Sequence, residues 1–445
     1  MIALRAATPS LASAIEQARL LSAFVGIETY WTTVQGPAPD SLGRVREQAL
    51  AAAMAEADPA SLGAGERLRR RFGADDAAWA LGQAALRRKA AAKFERADEM
   101  LFTRDGLEQA TRRAVARWRA GRFVDAGVTE VWDLGCGIGA DAMAFLEAGL
   151  RVVAVDADPE TAAVAAHNLA LVDRSPKGSE VRVGLAEDAV LPEHAAIFLD
   201  PARRTARGRT WDVADFTPSW DFVLAQLASD RFVCVKLGPG VPKEILPEGV
   251  QAAWVSESHD VVEASLWNRL PAGPAAVVLG EGRETILRRV LPSRVSGPHP
   301  PAAGPFPALK ADAPGGLPVR PLGRYLIEPD GAVIRSGLFE EIAPAHDLWL
   351  LDPHIAYLSS DEPLASPLVT CFEVREVQDF DRKRLRRWVA ERGVGTLEIK
   401  KRGIDVDPAA LRRELKPKGK GAATLVLART VAGTKAIVVE RLHAP

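Results

Sequence analysis

The sequence predicts an α/β protein: a doubly wound parallel sheet, preceded by helices and followed by a smaller α+β unit. Apolar runs of strand length alternate with helical stretches between residues 128 and 280, a pattern typical of parallel strands buried on both faces. Before residue 96, apolar residues recur at helical spacing without strand alternation. The 445 residues are enough for about three domains.

The composition excludes several classes of protein. Hydrophobic residues make up 47% and charged residues 26% of the chain, as in folded proteins. A net charge of −1 excludes a uniformly basic nucleic-acid coat but allows a local basic patch. The three cysteines form no C-x-x-C pair, which excludes a disulfide scaffold, a zinc ribbon and a Cys-ligated cluster. None of the seven histidines forms a ligand pair, so we expect no metal.

The chain shows neither a signal peptide pattern nor a membrane-spanning pattern. The N-terminus has no basic start followed by an apolar core, and no apolar run approaches the ~20 residues of a membrane span. We therefore expect a cytoplasmic protein that does not bind membranes.

The chain divides into four predicted parts. Residues 1–95 form a helical domain, with Pro9-Ser10, Asp40-Ser41 and Ser61 before helical runs. Residues 96–290 form the sheet domain, and residues 105–122 within it are expected to be one helix. Nine prolines within 292–321 predict a linker over 291–320.

Residues 321–445 are predicted to form the α+β domain, with an antiparallel sheet and helices on one face. Asp407-Pro408 is a favourable helix start, with a capping aspartate and proline in the first turn. The later part is expected to contain helices 381–392 and 408–416 and strands 396–401, 423–429 and 436–441.

The strongest motif is a glycine turn at the end of the first predicted strand of the sheet. Asp133 is followed by Gly135, Gly137 and Gly139, where glycine allows a sharp turn and close approach of a ligand. Asp156 ends the next strand, at the spacing of an acid that accepts hydrogen bonds from ribose hydroxyls. The pattern therefore predicts a cofactor that contains ribose.

The acid in front of the glycines narrows the choice of cofactor. A carboxylate at Asp133 disfavours a pyrophosphate and suits an ammonium group. S-adenosylmethionine has an amino group, a ribose and an adenine but no phosphate. A Rossmann-like fold that binds a nicotinamide dinucleotide, or no ligand, is the alternative.

In this motif the sequence resembles the class I methyltransferases, which bind S-adenosylmethionine on a Rossmann-like sheet. The resemblance implies that Asp133 lies near the methionine amino group and that Gly135, Gly137 and Gly139 line the cofactor. It also implies the contacts made after the next two strands, namely Asp156 with the adjoining Ala157 at the ribose and Asp188 at the adenine amine.

Asp200-Pro201-Ala202-Arg203 follows the fourth strand, where ligands of open α/β sheets bind. In methyltransferases of base amino groups, this position carries Asp or Asn, then Pro, Pro and an aromatic residue. A carboxylate and a carbonyl there orient the amine toward the methyl group. We therefore assign Asp200, Pro201 and Arg203 to the reaction site.

The motif departs from that pattern, since Ala202 and Arg203 replace the second proline and the aromatic residue. Stacking on a base would then come from Trp211, Phe216 or Trp220. Arg204 and Lys236, which ends the fifth strand, suit a phosphate-bearing substrate, and a solvated loop and an exposed turn are their alternatives.

A cysteine nucleophile is not expected, because no cysteine adjoins Asp200-Pro201. Cys136 is interpreted as a small residue of the glycine turn, and Cys234 and Cys371 as strand-core residues.

The segment from Phe102 to Thr111 resembles the element that packs over the methionine end of the cofactor in trimethylguanosine-synthase-like enzymes. This likeness suggests Gln109 and Thr111 as additional cofactor contacts, and an ordinary amphipathic helix is the alternative.

Positive charge is concentrated near the C-terminus. Residues 382–420 hold fourteen Lys and Arg against five Asp and Glu, which favours phosphate binding over a merely solvated face. The residues assigned to substrate binding there are Arg384, Lys400, Lys401, Arg402 and Lys418.

The whole arrangement resembles a bacterial family with helices, a methyltransferase domain with the DPAR motif, and a C-terminal THUMP-like domain. The segments TRDGLEQAT, DLGCGIGAD, DPARR, VKLGPG and LEIKKRGIDVDPAALRRELKPKG carry the match. Since THUMP domains bind tRNA, the resemblance implies tRNA or rRNA as the substrate. Together with the Asp200-Pro201 motif, it predicts methylation at a base nitrogen. A methyltransferase of a protein or small molecule, or a binding protein without catalysis, stays open, as does the oligomeric state.

Overall fold

The computed structural model describes residues 32–34, 43–173, 178–203, 211–280, 282–289 and 316–442. Packing divides the chain into two compact units, Met1–Ala202 and Arg203–Pro445. The helices predicted before residue 32 and most of the proline-rich linker lie outside the described residues. The domain boundaries drawn from the sequence stay predictions.

The first unit begins with a short strand and three helices. These elements are β1 (Thr32–Val34), α1 (Arg44–Met54), α2 (Leu62–Phe72) and α3 (Ala74–Ala90). The Ser61 hydroxyl accepts a hydrogen bond from the Ala64 amide, which confirms the helix start predicted there. Strand β1 was not expected, because its main chain pairs with a strand distant in sequence, β4 (Ser179–Val183).

The single helix expected over residues 105–122 is two helices, α4 (Arg104–Gln109) and α5 (Arg113–Asp125). Between them Thr111 is buried, and its hydroxyl donates a hydrogen bond of 2.5 Å to Asp141. The prediction of one helix was wrong because this contact joins residues thirty positions apart.

Four parallel strands follow, with helices between three of them. In chain order the elements are β2 (Glu130–Leu134), α6 (Ala140–Glu147), β3 (Arg151–Asp156), α7 (Pro159–Val172), β4 and β5 (Ala196–Leu199). Their spatial order is β4-β3-β2-β5, all parallel. Strand–helix alternation is therefore confirmed, and the carboxyl ends of these strands lie along one edge.

The second unit contains a largely antiparallel set of strands. After β6 (Ala202–Arg203), at the junction of the units, its elements are β7 (Phe216–Thr217), α8 (Trp220–Leu227), β8 (Val233–Leu237), β9 (Gln251–Glu257), β10 (Asp260–Trp267), β11 (Gly273–Gly280) and β12 (Arg283–Arg288). The spatial order is β8-β10-β9-β11-β12, and only β9 and β11 run parallel.

The expectation of parallel strands was wrong for β10. Only Ser258 and His259 separate it from β9, and both have left-handed backbone with φ of 53° and 68°. Two-residue connections of this kind join antiparallel strands, whereas parallel strands need a longer crossover.

The C-terminal sheet has seven strands. The remaining elements are β13 (Tyr325–Pro329), α9 (Gly331–Ser336), β14 (Trp349–Leu350), β15 (Leu358–Ser360), β16 (Val369–Asp379), α10 (Arg382–Glu391), β17 (Val394–Arg402), α11 (Pro408–Leu415), β18 (Gly421–Thr430) and β19 (Gly433–Arg441). The spatial order is β14-β15-β13-β16-β19-β18-β17, antiparallel except for β17 and β18, which α11 connects. Val319, inside the predicted linker, bridges to Leu350.

Both faces of this sheet are covered. Leu425 and Leu427 of β18 pack with Leu385 of α10 and Leu411 of α11. The alternate residues Val426 and Ala428 pack against Leu351, Ile355 and Tyr357 on the other face. The helices lie on one face, as expected, and a loop closes the other.

Among the described residues, no helix combines the length and the apolar character needed to cross a bilayer.

We expect Leu425→Ala to lower the free energy of unfolding by about 2–5 kcal/mol, because the fully buried side chain would leave a cavity. Urea unfolding followed by circular dichroism measures this change. Val377→Ala, at a half-exposed position of β16, is the control and should stay within about 0.5 kcal/mol. Equal losses in both variants would contradict the packing described for β18.

Candidate active site

Acidic residues line the carboxyl edge of the four parallel strands. Asp156 is the last residue of β3, and Asp200 directly follows β5. Leu134 pairs with both Val155 and Leu199, so the residues that follow it lie between these two acids. The structure thus has Asp156 and Asp200 at this edge, on either side of the glycine motif.

The glycine loop, Gly135–Gly139, leads from β2 into α6. Its glycines have φ of 91°, 55° and 84°, values that other residues rarely adopt. A Cβ on Gly139 would lie 2.6 Å from Leu169 of α7, whereas a Cβ on Gly137 would meet no atom within 4 Å. The left-handed backbone and the nearby Leu169 side chain both disfavour a side chain at Gly139, and Gly137 leaves open space above the backbone.

Asp156 is connected directly to the glycine loop. Its Oδ2 accepts a hydrogen bond of 2.9 Å from the Gly137 amide, and its Oδ1 accepts one from the Asp158 amide. Burial raises the pKa of this carboxyl, and the two backbone hydrogen bonds oppose that shift. An ionised carboxylate has about four lone-pair sites, so both oxygens keep capacity for ribose hydroxyls.

Asp133 lies on β2, two residues before the glycine loop, and is only 1% exposed. Burial, followed by the charges of Asp133 and Asp156, raises the pKa of the Cys136 thiol. A thiol with a raised pKa is a poor nucleophile, in agreement with the interpretation of Cys136 as a small residue of the turn. Cys234 and Cys371 are buried on strands, as predicted.

The edge continues toward β4 with exposed residues. Gly184 donates a main-chain hydrogen bond to Asp156, and Asp188 ends a short 3-10 helix, Ala186–Asp188. Asp188 and Ala157 are both exposed to solvent. They are therefore accessible to a ligand at this edge, and their contacts stay predictions.

The predicted reaction residues are partly described. A Cβ on Gly135 would lie 3.4 Å from the Asp200 carbonyl oxygen, which places Asp200 against the glycine loop. Pro201 is buried and Ala202 exposed. The side chain of Arg203 and the whole of Arg204 lie outside the described part of the chain.

Residues 99–111, which we call the connecting segment, lie between α3 and α5 in the chain and pack on the glycine loop. A Cβ on Gly106 of α4 would lie 2.3 Å from Ile138 Cγ2. Gln109 ends α4 with an exposed side chain. Thr111 instead donates to Asp141, whose other oxygen accepts from the fully buried Arg119.

Sequence reasoning missed the residue that joins these parts, Asn168. Its amide donates to the carbonyls of Leu101 and Ile138, both at 2.9 Å, and accepts from the Leu101 amide at 2.8 Å. The available signal was an asparagine next to His167 in an otherwise apolar run, residues 162–172, since fully buried polar residues require partners.

Helix α3 also contacts the connecting segment. Gln83 exchanges two hydrogen bonds with the main chain of Phe102, and Arg87 donates to the carbonyls of Met100 and Glu99. These two residues were assigned no role from the sequence, although their spacing of four places them on one helix face.

In the second unit, the aromatic candidates differ in exposure. Phe216 and Trp220 are 4% and 8% exposed and stack 5.5 Å apart, as core residues do. Trp211 is partly exposed, and its ring would lie 3.3 Å from a Cβ on Gly238. Lys236 is half-buried within β8, where it pairs with Ser265 of β10.

The basic residues assigned to substrate binding fall into two groups. Lys400 forms an ion pair of 2.7 Å with Glu328, and Arg402 lies 3.8 Å from the same carboxylate. Arg384, Lys401 and Lys418 are exposed. The structure thus separates residues engaged within the sheet from residues presented to solvent.

Within the described ranges, no group of three or more His, Cys, Asp or Glu is arranged to hold a metal ion.

Comparison with known proteins gives a family match for the C-terminal region and relatives that match most of the chain. Residues 369–441 match the family model described as THUMP domain-like. An uncharacterized S-adenosylmethionine-dependent methyltransferase of Mycobacterium tuberculosis, present in two strains, is 36% identical over 379 residues, which are 82% of this chain and 96% of the relative.

A crystal structure of a putative methyltransferase from Porphyromonas gingivalis has the same fold. Its TM-score is 0.67 at 20% identity, and the match covers 90% of this chain and 99% of that one. The Rossmann-like α/β fold with N-terminal helices and a C-terminal THUMP-like sheet is therefore confirmed. The chain belongs to the family of S-adenosylmethionine-dependent methyltransferases that carry a C-terminal THUMP-like domain.

Proposed function

We propose that this methyltransferase acts on tRNA or rRNA and transfers the methyl group to a base nitrogen. The observation that carries the proposal is a basic face on the THUMP-like domain. Helix α10 buries Leu385, Trp388 and Val389 and presents a row of basic side chains to solvent. This exposed row consists of Lys383, Arg384, Arg386 and Arg387.

The loop after α11 extends this basic face. Its amides at Gly419 and Gly421 donate to the carbonyls of Val394 and Gly393, directly after α10. A Cβ on Gly395 or Gly419 would clash with the opposite main chain, so only glycine permits this approach. The exposed lysines of the loop, Lys416, Lys418 and Lys420, are thereby held near the end of α10.

A row of exposed cations along one helix suits the phosphates of a nucleic acid. The positive charges on α10 lie along a helix of ten residues, about 15 Å long. Lys400 and Arg402 contribute less, since Glu328 neutralises their charge locally.

The cofactor site proposed for S-adenosylmethionine consists of residues at the carboxyl edge. Asp133 would attract the amino group, Asp156 would accept from the ribose hydroxyls, and Asp188 from the adenine amine. The open space above Gly137 is compatible with a ligand lying on the main chain. Gly135, Gly139, Ala157 and Gln109 would complete the site.

When bound, the cofactor supplies an electrophilic methyl group on a sulfonium. Asp200 and the Pro201 carbonyl would accept hydrogen bonds from the acceptor amine and aim its lone pair. The Asp200 carboxylate would also stabilise the positive charge that develops on the nitrogen. The amine then loses a proton from an acidic ammonium, so no strong base is required.

The cofactor and acceptor roles make separable predictions. Asp133→Ala and Asp156→Ala should abolish binding of S-adenosylmethionine in calorimetry, because each removes a hydrogen-bonding partner. Asp200→Ala should bind the cofactor within about threefold of the wild type and lose turnover by about 10²-fold or more, because it removes the side-chain acceptor for the amine.

Turnover is measured with labelled cofactor and total RNA from a strain that lacks the gene, followed by mass spectrometry of nucleosides. Full turnover by Asp200→Ala would remove the role proposed for that side chain.

RNA binding should depend on the basic face. In Arg386→Gln with Arg387→Gln, we expect weaker tRNA binding and a salt slope smaller by about 2, because two phosphate contacts are lost. The control is Arg375→Gln with Lys435→Gln, which removes the same charge from residues paired with Glu440 and Asp379. Equal effects of the two pairs, or no binding of tRNA or rRNA by the wild type at low salt, would contradict the proposal.

Among the aromatic candidates, Trp211 is the stacking residue that the exposure pattern favours. Trp211→Ala should lower kcat/KM for RNA by about 5- to 100-fold, because base–aromatic stacking contributes about 1–3 kcal/mol. Trp211→Phe retains a ring and should recover most of the loss. The affinity for the cofactor is the control and should not change. An equal loss of kcat/KM in Trp211→Ala and Trp211→Phe would exclude stacking.

A further inference from the structure

We infer that helix α3 positions the connecting segment against the glycine loop, so that Gln83 and Arg87 are positioning residues for S-adenosylmethionine. The inference rests on the glycine loop being the cofactor site proposed above. It assigns a role to the N-terminal helices for which the sequence motifs gave none.

The first step is the attachment of the connecting segment to α3. Gln83 is buried and forms hydrogen bonds of 2.8 and 3.0 Å with the carbonyl and amide of Phe102. Arg87 is also buried and reaches the carbonyls of Met100 and Glu99 at 2.8 and 3.0 Å. Two side chains of one helix therefore contact four main-chain groups of the segment, one of which, the Glu99 carbonyl, also contacts His167 of α7.

The second step is the attachment of the same segment to the glycine loop. Asn168 bonds both Leu101 and the carbonyl of Ile138, which stands between Gly137 and Gly139. Gly106 approaches Ile138 so closely that no Cβ fits between them. A displacement at Phe102 is consequently transmitted to the loop through two independent contacts.

The third step is the fixed far end of the segment. Thr111 donates to Asp141 in the first turn of α6, and Arg119 holds the other carboxylate oxygen at 3.0 Å. With both ends fixed, the exposed residues between them, including Gln109, keep a defined place beside the loop. A binding loop held in this way loses less conformational freedom when it takes its ligand.

The experiment compares two neighbouring arginines of α3. Arg87 and Arg88 each donate to two main-chain carbonyls, but Arg88 bonds Ala57 and Glu56, within the N-terminal helices themselves. Arg87→Met should raise the Kd for S-adenosylmethionine about fivefold or more, and Arg88→Met less than twofold. Calorimetry measures the Kd, and melting temperatures without the cofactor report any general loss of folding.

Hydrogen exchange supplies a second readout. Arg87→Met should accelerate exchange of the Leu101 and Phe102 amides, and Arg88→Met should leave them protected. Equal Kd values for the two variants would overturn the inference. If Asp156→Ala leaves the Kd unchanged as well, the proposed cofactor site is rejected together with the inference. If Asp156→Ala raises the Kd and Arg87→Met does not, only the role of α3 is rejected.

Gly106→Ala tests the contact between the connecting segment and Ile138 of the glycine loop, and it changes no residue of α3. Alanine favours a helix more than glycine does, so the variant should fold. Its methyl group would lie 2.3 Å from Ile138 Cγ2 and 2.6 Å from Thr103 Oγ1, so both side chains would have to move. We expect the Kd to rise about tenfold and to recover only in part, by about threefold, when Ile138→Ala is added, because the second change relieves the contact with Ile138 but not the one with Thr103. Wild-type affinity in Gly106→Ala, or no rescue by the second change, would contradict transmission through this contact.

Discussion

One buried amide, that of Asn168, holds the geometry on which the site depends. It is fully buried and uses both of its donors and one acceptor position on main-chain groups of Leu101 and Ile138. A buried amide left without these partners would cost about 1–3 kcal/mol for each unsatisfied group. Helix α7, the glycine loop and the connecting segment are therefore fixed to one another by a single side chain.

The sequence predicted those parts of the site that depend on local patterns. The glycine loop and Asp156 were recognisable because a strand end, a sharp turn and an acid at a fixed spacing are all short-range features. The helix starts at Ser61 and Asp407 followed from capping, which acts within three residues.

The parts that could not be predicted depend on contacts between distant residues. The break between α4 and α5 accompanies the hydrogen bond from Thr111 to Asp141. Strand β1 forms because it pairs with β4. The charge count near the C-terminus could not separate Lys400 from Lys401, because the partner of Lys400 is Glu328, seventy-two residues earlier. A count of charges predicts an electrostatic field, whereas a binding face also depends on which cations are already paired.

The ion pair of Arg119 and Asp141 gives the first unit a specific arrangement rather than added stability. Arg119 is fully buried, contacts Asp141 at 3.0 Å and lies 4.6 Å from the ring centre of Phe198 on β5. Buried ion pairs recover little more than their cost of desolvation, so this pair adds little net stability. Its value lies in geometry: α5, α6 and β5 have one arrangement that satisfies the guanidinium, and Thr111 completes the carboxylate. The same arrangement fixes the connecting segment at one end and the start of α6 at the other, so the glycine loop between β2 and α6 is held from both sides.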